Sequence, residues 1–221
     1  MSLKAQILIV AMLLAGMLFA EIPDPSTPVA DIVFTAFDTE TSGFSPKTER
    51  VLEIAAVKFR GSGEILAATN WLINPEIPIP SAASRVHGIT APMVANAPVF
   101  KEVFPQFEAF CADSILLAHN AMFDINFLRA ELKRNGMKTP LLAVFDTLPM
   151  FRKWFPHEAS HSLGSLTENL GLAGDIYHRA EADSFHIINI FKAGMKQRPA
   201  ITLEQMERDA GGFKRLNGGP Y

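Results

Sequence analysis

The chain has 221 residues, of which 48% are apolar and 19% are charged, and its formal net charge is −3. This composition excludes general disorder, and it excludes a strongly basic surface that binds nucleic acid through charge alone. The length is sufficient for one domain with a substantial core. The single cysteine, Cys111, excludes an internal disulfide framework and is expected to be a small core residue of a helix.

The N-terminal segment, 1–22, contains an uncharged apolar run over 7–20, which Lys4 precedes. A run of about fourteen residues is typical of a signal peptide and is short for a helix that spans a membrane. The position two residues before Ala20 is large, which makes a poor cleavage site. Three roles stay open, namely export, membrane association through residues 5–22, and an apolar helix that packs on the domain. The localisation is accordingly cytoplasmic, membrane-anchored or exported.

Composition also predicts the boundaries of the folded part. Three prolines within eight residues make 23–30 a stiff linker. One domain is expected over 31–198. Residues 199–221 are expected to be a C-terminal tail that has weak helical character and then becomes rich in glycine.

The predicted elements begin with an antiparallel meander. Apolar, β-branched and aromatic runs predict one strand that starts at Val33 and two more at 51–59 and 65–73. The glycine-rich residues 61–63, between the last two strands, are typical of a hairpin.

Helices and strands alternate in the remainder of the domain. Aromatic residues with Cys111 recur at helical spacing over 100–111, which favours a core stripe over a platform for stacking bases. The pattern then predicts strands at 115–118 and 141–145 and helices at 122–135, 163–170 and 180–196. A meander followed by alternating elements predicts an α/β fold, with a mixed five-stranded sheet flanked by helices.

Two carboxylates, Asp38 and Glu40, stand at the end of the first predicted strand. Residues i and i+2 of a strand point to the same face, so both charges project together from the core. Like charges in a partly dry site are costly unless a cation joins them, and hard oxygen ligands favour Mg²⁺ or Mn²⁺. The pair is also compatible with a strand that simply runs into a polar turn at 41–43.

Three further side chains are candidates for the same site. Asp124 falls in the first turn of its predicted helix, where charge complementarity with the helix dipole is an alternative reason for a carboxylate. If the last long helix begins near Ala180, His178 precedes it and Asp183 lies in its first turn, so both can point at one centre. Each is also compatible with a surface position. Only His178 has an ordinary pKa that allows proton transfer near pH 7.

Three segments that contain these residues resemble the motifs of the DEDDh family of 3′-to-5′ exonucleases, namely 37–43, 119–124 and 178–183. That family includes the proofreading epsilon subunit of bacterial DNA polymerase III, ribonuclease T and oligoribonuclease. A fourth segment, 85–90, resembles one that is common in the epsilon-like branch. Ser42 stands where the family often has threonine, and we recognise no clamp-binding motif in the tail.

The resemblance implies an RNase H-like fold and a metal-dependent exonuclease that releases nucleoside monophosphates from single-stranded 3′ ends. It implies two divalent cations, Mg²⁺ or Mn²⁺, with Asp38, Glu40 and Asp183 at the first ion. Asp38 and Asp124 would serve the second ion. His178 would deprotonate the attacking water.

The resemblance also implies residues that contact the substrate. The terminal nucleotides would be contacted by Thr39, Thr41 and His87, while Asn120 and Phe123 would shape the site. For His87, a role in capping a loop is the alternative. DNA is favoured as substrate, and the alternatives are an exoribonuclease on short RNA or tRNA ends and a nucleic-acid-binding module without catalysis.

Overall fold

The computed structural model describes residues 22–172 and 179–217 and places them in three layers, with a six-stranded sheet between two groups of helices. The strands are β1 Val33–Thr41, β2 Val51–Arg60, β3 Ile65–Leu72, β4 Ile115–Ala118, β5 Ala143–Asp146 and β6 Phe213–Arg215. The helices are α1 Ser81–His87, α2 Ala91–Val94, α3 Phe100–Cys111, α4 Met122–Arg134, α5 Thr147–Trp154, α6 Leu163–Asn169, α7 Ala180–Lys196 and α8 Leu203–Ala210.

The sheet is mixed, as predicted, and its order is β3-β2-β1-β4-β5-β6. Strand β1 pairs with β2 in the antiparallel direction and with β4 in the parallel direction. Its apolar, β-branched sequence fits this central position because both of its faces are covered. Parallel strands end at the same edge of a sheet, so the end of β1 lies on the edge where β4 and β5 also end.

One face of the sheet packs against α5, α6, α7 and α8. Phe34 and Ala36 of β1 contribute to this core, together with Ile187 and Phe191 of α7. Residues two apart on a strand share a face, so the face of β1 that carries Phe34 and Ala36 continues to Asp38 and Glu40.

The opposite face packs against α3 and α4. The predicted stripe of α3 is buried there, with Phe104, Phe107 and Cys111 each at most 1% exposed. Pro105 lies inside α3, which continues through it to Cys111. Burial raises the pKa of the Cys111 thiol, which is consistent with an inert core residue.

The predicted tail is part of the fold as far as residue 217, so the predicted boundary at 198 was wrong. Helix α8 buries Leu203, Met206 and Ala210, and β6 pairs with β5 to make the sixth strand. A strand of three residues beside two glycines has too little pattern to be predicted from sequence.

The predicted linker 23–30 is also attached to the domain. Val29 is fully buried, and its N–H donates to the carbonyl of Ile201 at 2.9 Å. Most of the predicted apolar segment, 1–21 with its run 7–20, lies outside the described residues. Across 22–172 and 179–217, no helix is both long enough and apolar enough to cross a membrane.

Candidate active site

Three carboxylates converge where β1 ends and α7 begins. Asp38 and Glu40 come from β1, and Asp183 comes from the first turn of α7. One carboxylate oxygen from each residue lies within 4.8 Å of the other two. The convergence follows from the packing of α7 on the face of β1 that carries Asp38 and Glu40.

Repulsion and burial raise the pKa of the two carboxyls on β1. Burial is the largest cause for Asp38, whose pKa lies well above its ordinary value, and the charges of neighbouring acids add to it. For Glu40, burial and then Asp183 raise the pKa from 4.5 to about 8. Arg179 opposes this rise because its positive charge favours the ionised form. Without a cation, the cluster therefore resists full ionisation at neutral pH.

Asp124 lies beside this cluster and is held by β1. The carboxylate is 2% exposed, and its Oδ1 accepts from the Thr39 N–H at 3.1 Å and from the Thr39 hydroxyl at 2.7 Å. Burial raises the pKa of Asp124 to about 7, although the hydrogen bond from Thr39 opposes this rise. The negative charge of Asp124 also raises the pKa of Asp38, which places the two carboxyls within electrostatic reach.

Two residues that were predicted to contact nucleotides use their hydroxyls inside the protein. Thr39 is 5% exposed and donates to Asp124, and Thr41 is 8% exposed and donates to the carbonyl of Gly43 at 2.7 Å. Odd-numbered residues of β1 point away from the face of Asp38 and Glu40, which is why the Thr39 hydroxyl meets α4.

His87 makes the contact expected for the loop-capping alternative. Its Nδ1 accepts from the Ile89 N–H at 3.0 Å, and the side chain is 4% exposed. Burial lowers the pKa of His87, and the nearby Thr41 backbone opposes this effect. Among the residues described, Nε2 makes no hydrogen bond of good geometry.

Asn120 and Phe123 lie where β4 leads into α4. Asn120 is exposed, has a positive φ of 59°, and donates its N–H to Asp146 Oδ1 at 3.0 Å. Phe123 is partly exposed, and its ring lies 5.0 Å from that of Phe127. Asp146 also caps α5 by accepting from the Leu148 N–H, so the start of α4 and the start of α5 are tied together.

The structure adds residues that were not predicted for the site. Glu53 of β2 is fully buried and pairs with Arg179, which directly precedes α7. A carboxylate within the otherwise apolar residues 51–57 of β2 was the available signal for Glu53. Phe44 is 92% exposed in the loop that follows β1, and an aromatic residue directly after the predicted turn at 41–43 was the corresponding signal. His178 lies outside the described residues.

The donor set of the cluster fits a hard divalent cation. All three ligand candidates are carboxylates, which are the groups that Mg²⁺ and Mn²⁺ prefer. After burial, the charges of the neighbouring acids contribute to the raised pKa of Glu40, so the carboxylates of the cluster repel one another. A bound cation would balance them.

The chain is similar to exonucleases and to DNA polymerase subunits. Residues 35–191 match the exonuclease family RNase_T. DNA polymerase III subunit epsilon from Treponema pallidum is 38% identical over 162 residues, which cover 72% of this chain and 75% of that protein. The PolC-type DNA polymerase III of Clostridium perfringens is 35% identical over 167 residues, which cover 76% of this chain and 11% of the polymerase.

Solved structures agree with the fold. Exonuclease X in complex with 5′-overhanging duplex DNA is 26% identical with a TM-score of 0.65, over 80% of this chain and 99% of that one. Exonuclease I has a TM-score of 0.68 at 20% identity, over 76% of this chain and 42% of that one, and supports the fold alone. The chain spans 11% to 13% of the length of the PolC-type polymerases that it matches. Because the family match covers most of the chain and the three-layer architecture agrees with it, the chain belongs to the RNase_T exonuclease family, which has the RNase H-like fold.

Proposed function

We propose that the chain is a metal-dependent 3′-to-5′ exonuclease that releases nucleoside monophosphates from single-stranded 3′ ends. The observation that carries this proposal is the convergence of Asp38, Glu40 and Asp183 within 4.8 Å at the end of the central strand. The membership of the chain in an exonuclease family supports the same reaction.

The carboxylates are assigned to two Mg²⁺ or Mn²⁺ ions. Asp38, Glu40 and Asp183 would hold the first ion, and Asp38 and Asp124 would serve the second. When bound, the ions supply positive charge that stabilises the attacking and leaving oxygens of phosphodiester hydrolysis. Thr39 supports this assignment, because its two hydrogen bonds fix Asp124 beside β1.

His178 is assigned as the base that takes a proton from the attacking water. The support is chemical, since imidazole has an ordinary pKa near neutrality, and positional, since His178 precedes Arg179 and α7 in the chain. The other proposed catalytic groups, Asp38, Glu40, Asp124 and Asp183, are acids, and their proposed role is to bind cations.

The proposed substrate is a single-stranded 3′ end, with DNA favoured over RNA. Similarity to a DNA polymerase subunit and to an exonuclease in complex with DNA supports DNA. Phe44, at 92% exposure, offers a free aromatic face on which a base can stack. The exposed Asn120, the partly exposed Phe123 and His87 Nε2 are the other proposed contacts, together with the backbone at Thr39 and Thr41.

A panel of labelled oligonucleotides tests the function. Linear single-stranded DNA should be shortened from its 3′ end in Mg²⁺ or Mn²⁺ and left intact in EDTA. A closed circle of the same sequence should resist cleavage, because it has no terminal phosphodiester. Asp183→Asn should remove nearly all activity, whereas Asp31→Asn, an exposed acid of no assigned role, should match the wild type.

The same panel separates the alternatives. Preferential shortening of RNA would reassign the substrate to short RNA or tRNA ends. Binding of the 3′ end without any shortening in either metal would identify a binding module and would overturn the catalytic proposal. Undiminished activity in EDTA would overturn the metal-dependent mechanism.

A further inference from the structure

Glu53 is a further acid beside the cluster of Asp38, Glu40 and Asp183, and it belongs to β2. It lies on β2 directly opposite Glu40 of β1, and its side chain is fully buried. Its charge raises the pKa of both Asp38 and Glu40. A buried carboxylate in this position opposes ionisation of its neighbours, so its presence has to be explained by another contribution.

The contacts of Glu53 exclude it from direct ligation of a cation. Oε1 accepts from Arg179 Nη2 at 2.9 Å and from Asn70 Nδ2 at 3.2 Å. Oε2 accepts from Arg179 Nε at 3.2 Å and from the Ala180 N–H at 3.3 Å. Each oxygen therefore already receives two hydrogen bonds, and the cluster of converging carboxylates does not include Glu53.

Three of these four hydrogen bonds come from the start of α7. Arg179 is the N-cap residue of this helix, and its own side chain makes no cap hydrogen bond. The first N–H groups of a helix lack partners within the helix, and Glu53 accepts one of them from Ala180. The Arg179–carboxylate pair is bidentate, a geometry that fixes orientation as well as distance.

The same turn of α7 carries a residue of the cluster. The Asp183 N–H donates to the Arg179 carbonyl at 3.0 Å, so a single helical turn connects the residue that Glu53 holds to the carboxylate that reaches β1. Arg179 also lowers the pKa of Glu40 and thereby offsets part of the charge that Glu53 adds.

We propose that Glu53 is a positioning residue, which holds Arg179 and the Ala180 N–H so that the first turn of α7 delivers Asp183 to Asp38 and Glu40. The inference rests on the proposed nuclease function for its kinetic consequence. Its consequence for metal binding does not depend on that function, because Asp183 is one of the three converging carboxylates.

The test compares Glu53→Gln with wild type by Mn²⁺ calorimetry and by kinetics on a linear oligonucleotide. The variant keeps the shape of the side chain and removes the charge that orients the guanidinium. We expect Mn²⁺ affinity and kcat each to fall by about 10- to 100-fold, the range for residues that orient metal ligands. KM for the oligonucleotide should stay within about threefold, because the fully buried Glu53 side chain offers no exposed atom for the oligonucleotide to contact.

Glu131→Gln is the matched control. Glu131 is also a buried glutamate, 3% exposed, that pairs with Arg134 at 2.8 Å and accepts from the Val51 N–H of β2. The Glu131→Gln substitution should lower the melting temperature and leave Mn²⁺ affinity and kcat unchanged. An equal loss in both variants would show that Glu53 only stabilises the fold and would overturn the proposal.

Substitutions of Arg179 keep the test decisive if Glu53→Gln does not fold. Arg179→Lys keeps the positive charge but cannot make the bidentate pair with Glu53. It should therefore retain more Mn²⁺ affinity and kcat than Arg179→Met. Variants with wild-type Mn²⁺ affinity and kcat would overturn the positioning role alone. A wild-type protein that binds Mn²⁺ but shortens no 3′ end would overturn the proposed function, and the calorimetric comparison would still decide the role of Glu53.

Discussion

The folded protein favours the protonated forms of Glu40 and Asp124 more strongly than the unfolded chain does. Burial is the largest cause for both, and it raises their pKa from 4.5 to about 8 and from 3.8 to about 7, respectively. Between the ordinary and the raised values, the folded state binds more protons than the unfolded state. The site is therefore a source of pH-dependent stability in the absence of metal.

Relative to Glu40→Gln, the free energy of unfolding of the metal-free wild type should fall as the pH rises from about 4.5 to 8. Below this window both states are protonated at Glu40, and within it the unfolded chain ionises first, so the contribution of Glu40 is lost as the pH passes its folded pKa. Urea unfolding in EDTA at several pH values measures the effect. At pH 8, saturating Mg²⁺ should raise the free energy of unfolding, because a cation favours the ionised site.

Glu40→Gln provides the control for this pH dependence. The variant cannot ionise at this position, so its stability should vary less with pH than that of wild type. Glu64→Gln, which alters an exposed acid, should leave the profile unchanged. A wild-type stability that rises relative to that of Glu40→Gln between pH 5 and 8 would contradict the direction derived from this carboxyl.

Helix α7 joins the site to the core, and a close contact at its far end secures it. Gly194 lies against the indole of Trp154, which is 2% exposed and belongs to α5. The indole Nε1 donates to Asp209 Oδ2 at 2.9 Å, and the guanidinium carbon of Arg198 lies 5.3 Å from the ring centroid. A Cβ on residue 194 would overlap the indole, so glycine is required there by packing.

Gly194→Ala should destabilise the protein by about 1–3 kcal/mol, the usual cost of overpacking a core. The sign is diagnostic, because the same change in an unconstrained helix interior is stabilising by roughly 0.5–1 kcal/mol. Chemical denaturation measures the difference. Lys196→Ala, at an exposed position of the same helix, should change the stability by less than about 0.5 kcal/mol.

At the scale of the whole molecule, the segment that precedes β1 contacts the segment that follows α7. The Pro25 carbonyl accepts from the Glu204 N–H at 2.9 Å, and the Thr27 carbonyl accepts from the Leu203 N–H at 3.0 Å. Val29 is buried in the core beside the same helix, α8. These contacts begin at residue 25, beyond the apolar run at 7–20.

Two truncations distinguish the contributions of these segments. A protein that comprises 23–221 should keep its melting temperature and specific activity, because it retains the contacts of Pro25, Thr27 and Val29. A protein that comprises 30–221 should lose roughly 1.5–3 kcal/mol from the absence of buried Val29, and more from the lost hydrogen bonds. Unfolding of 23–221 would show that the N-terminal segment itself belongs to the folded core.

Local patterns were sufficient for much of the fold. Alternating and continuous apolar runs predicted β1 to β5, and helical spacing predicted the buried stripe of α3. The two-residue spacing of Asp38 and Glu40 was enough to put them on one face, because side chains alternate along every strand. The sixth strand β6, helix α8 and the attachment of residues 25–29 were missed, since they are stabilised by partners distant in sequence.

The sequence by itself determined which residue types were available for a cation site, because strand periodicity and motif order are local properties of the chain. Only the tertiary structure decided which of them converge. Asp183 reaches β1 because α7 packs across the sheet, and the Thr39 hydroxyl turns to Asp124 because α4 packs on the other face. Glu53 appeared in sequence as one carboxylate within an apolar stretch of β2, and its ion pair with Arg179 spans 126 residues of chain. Such contacts depend on the packing of whole elements, which no local pattern specifies.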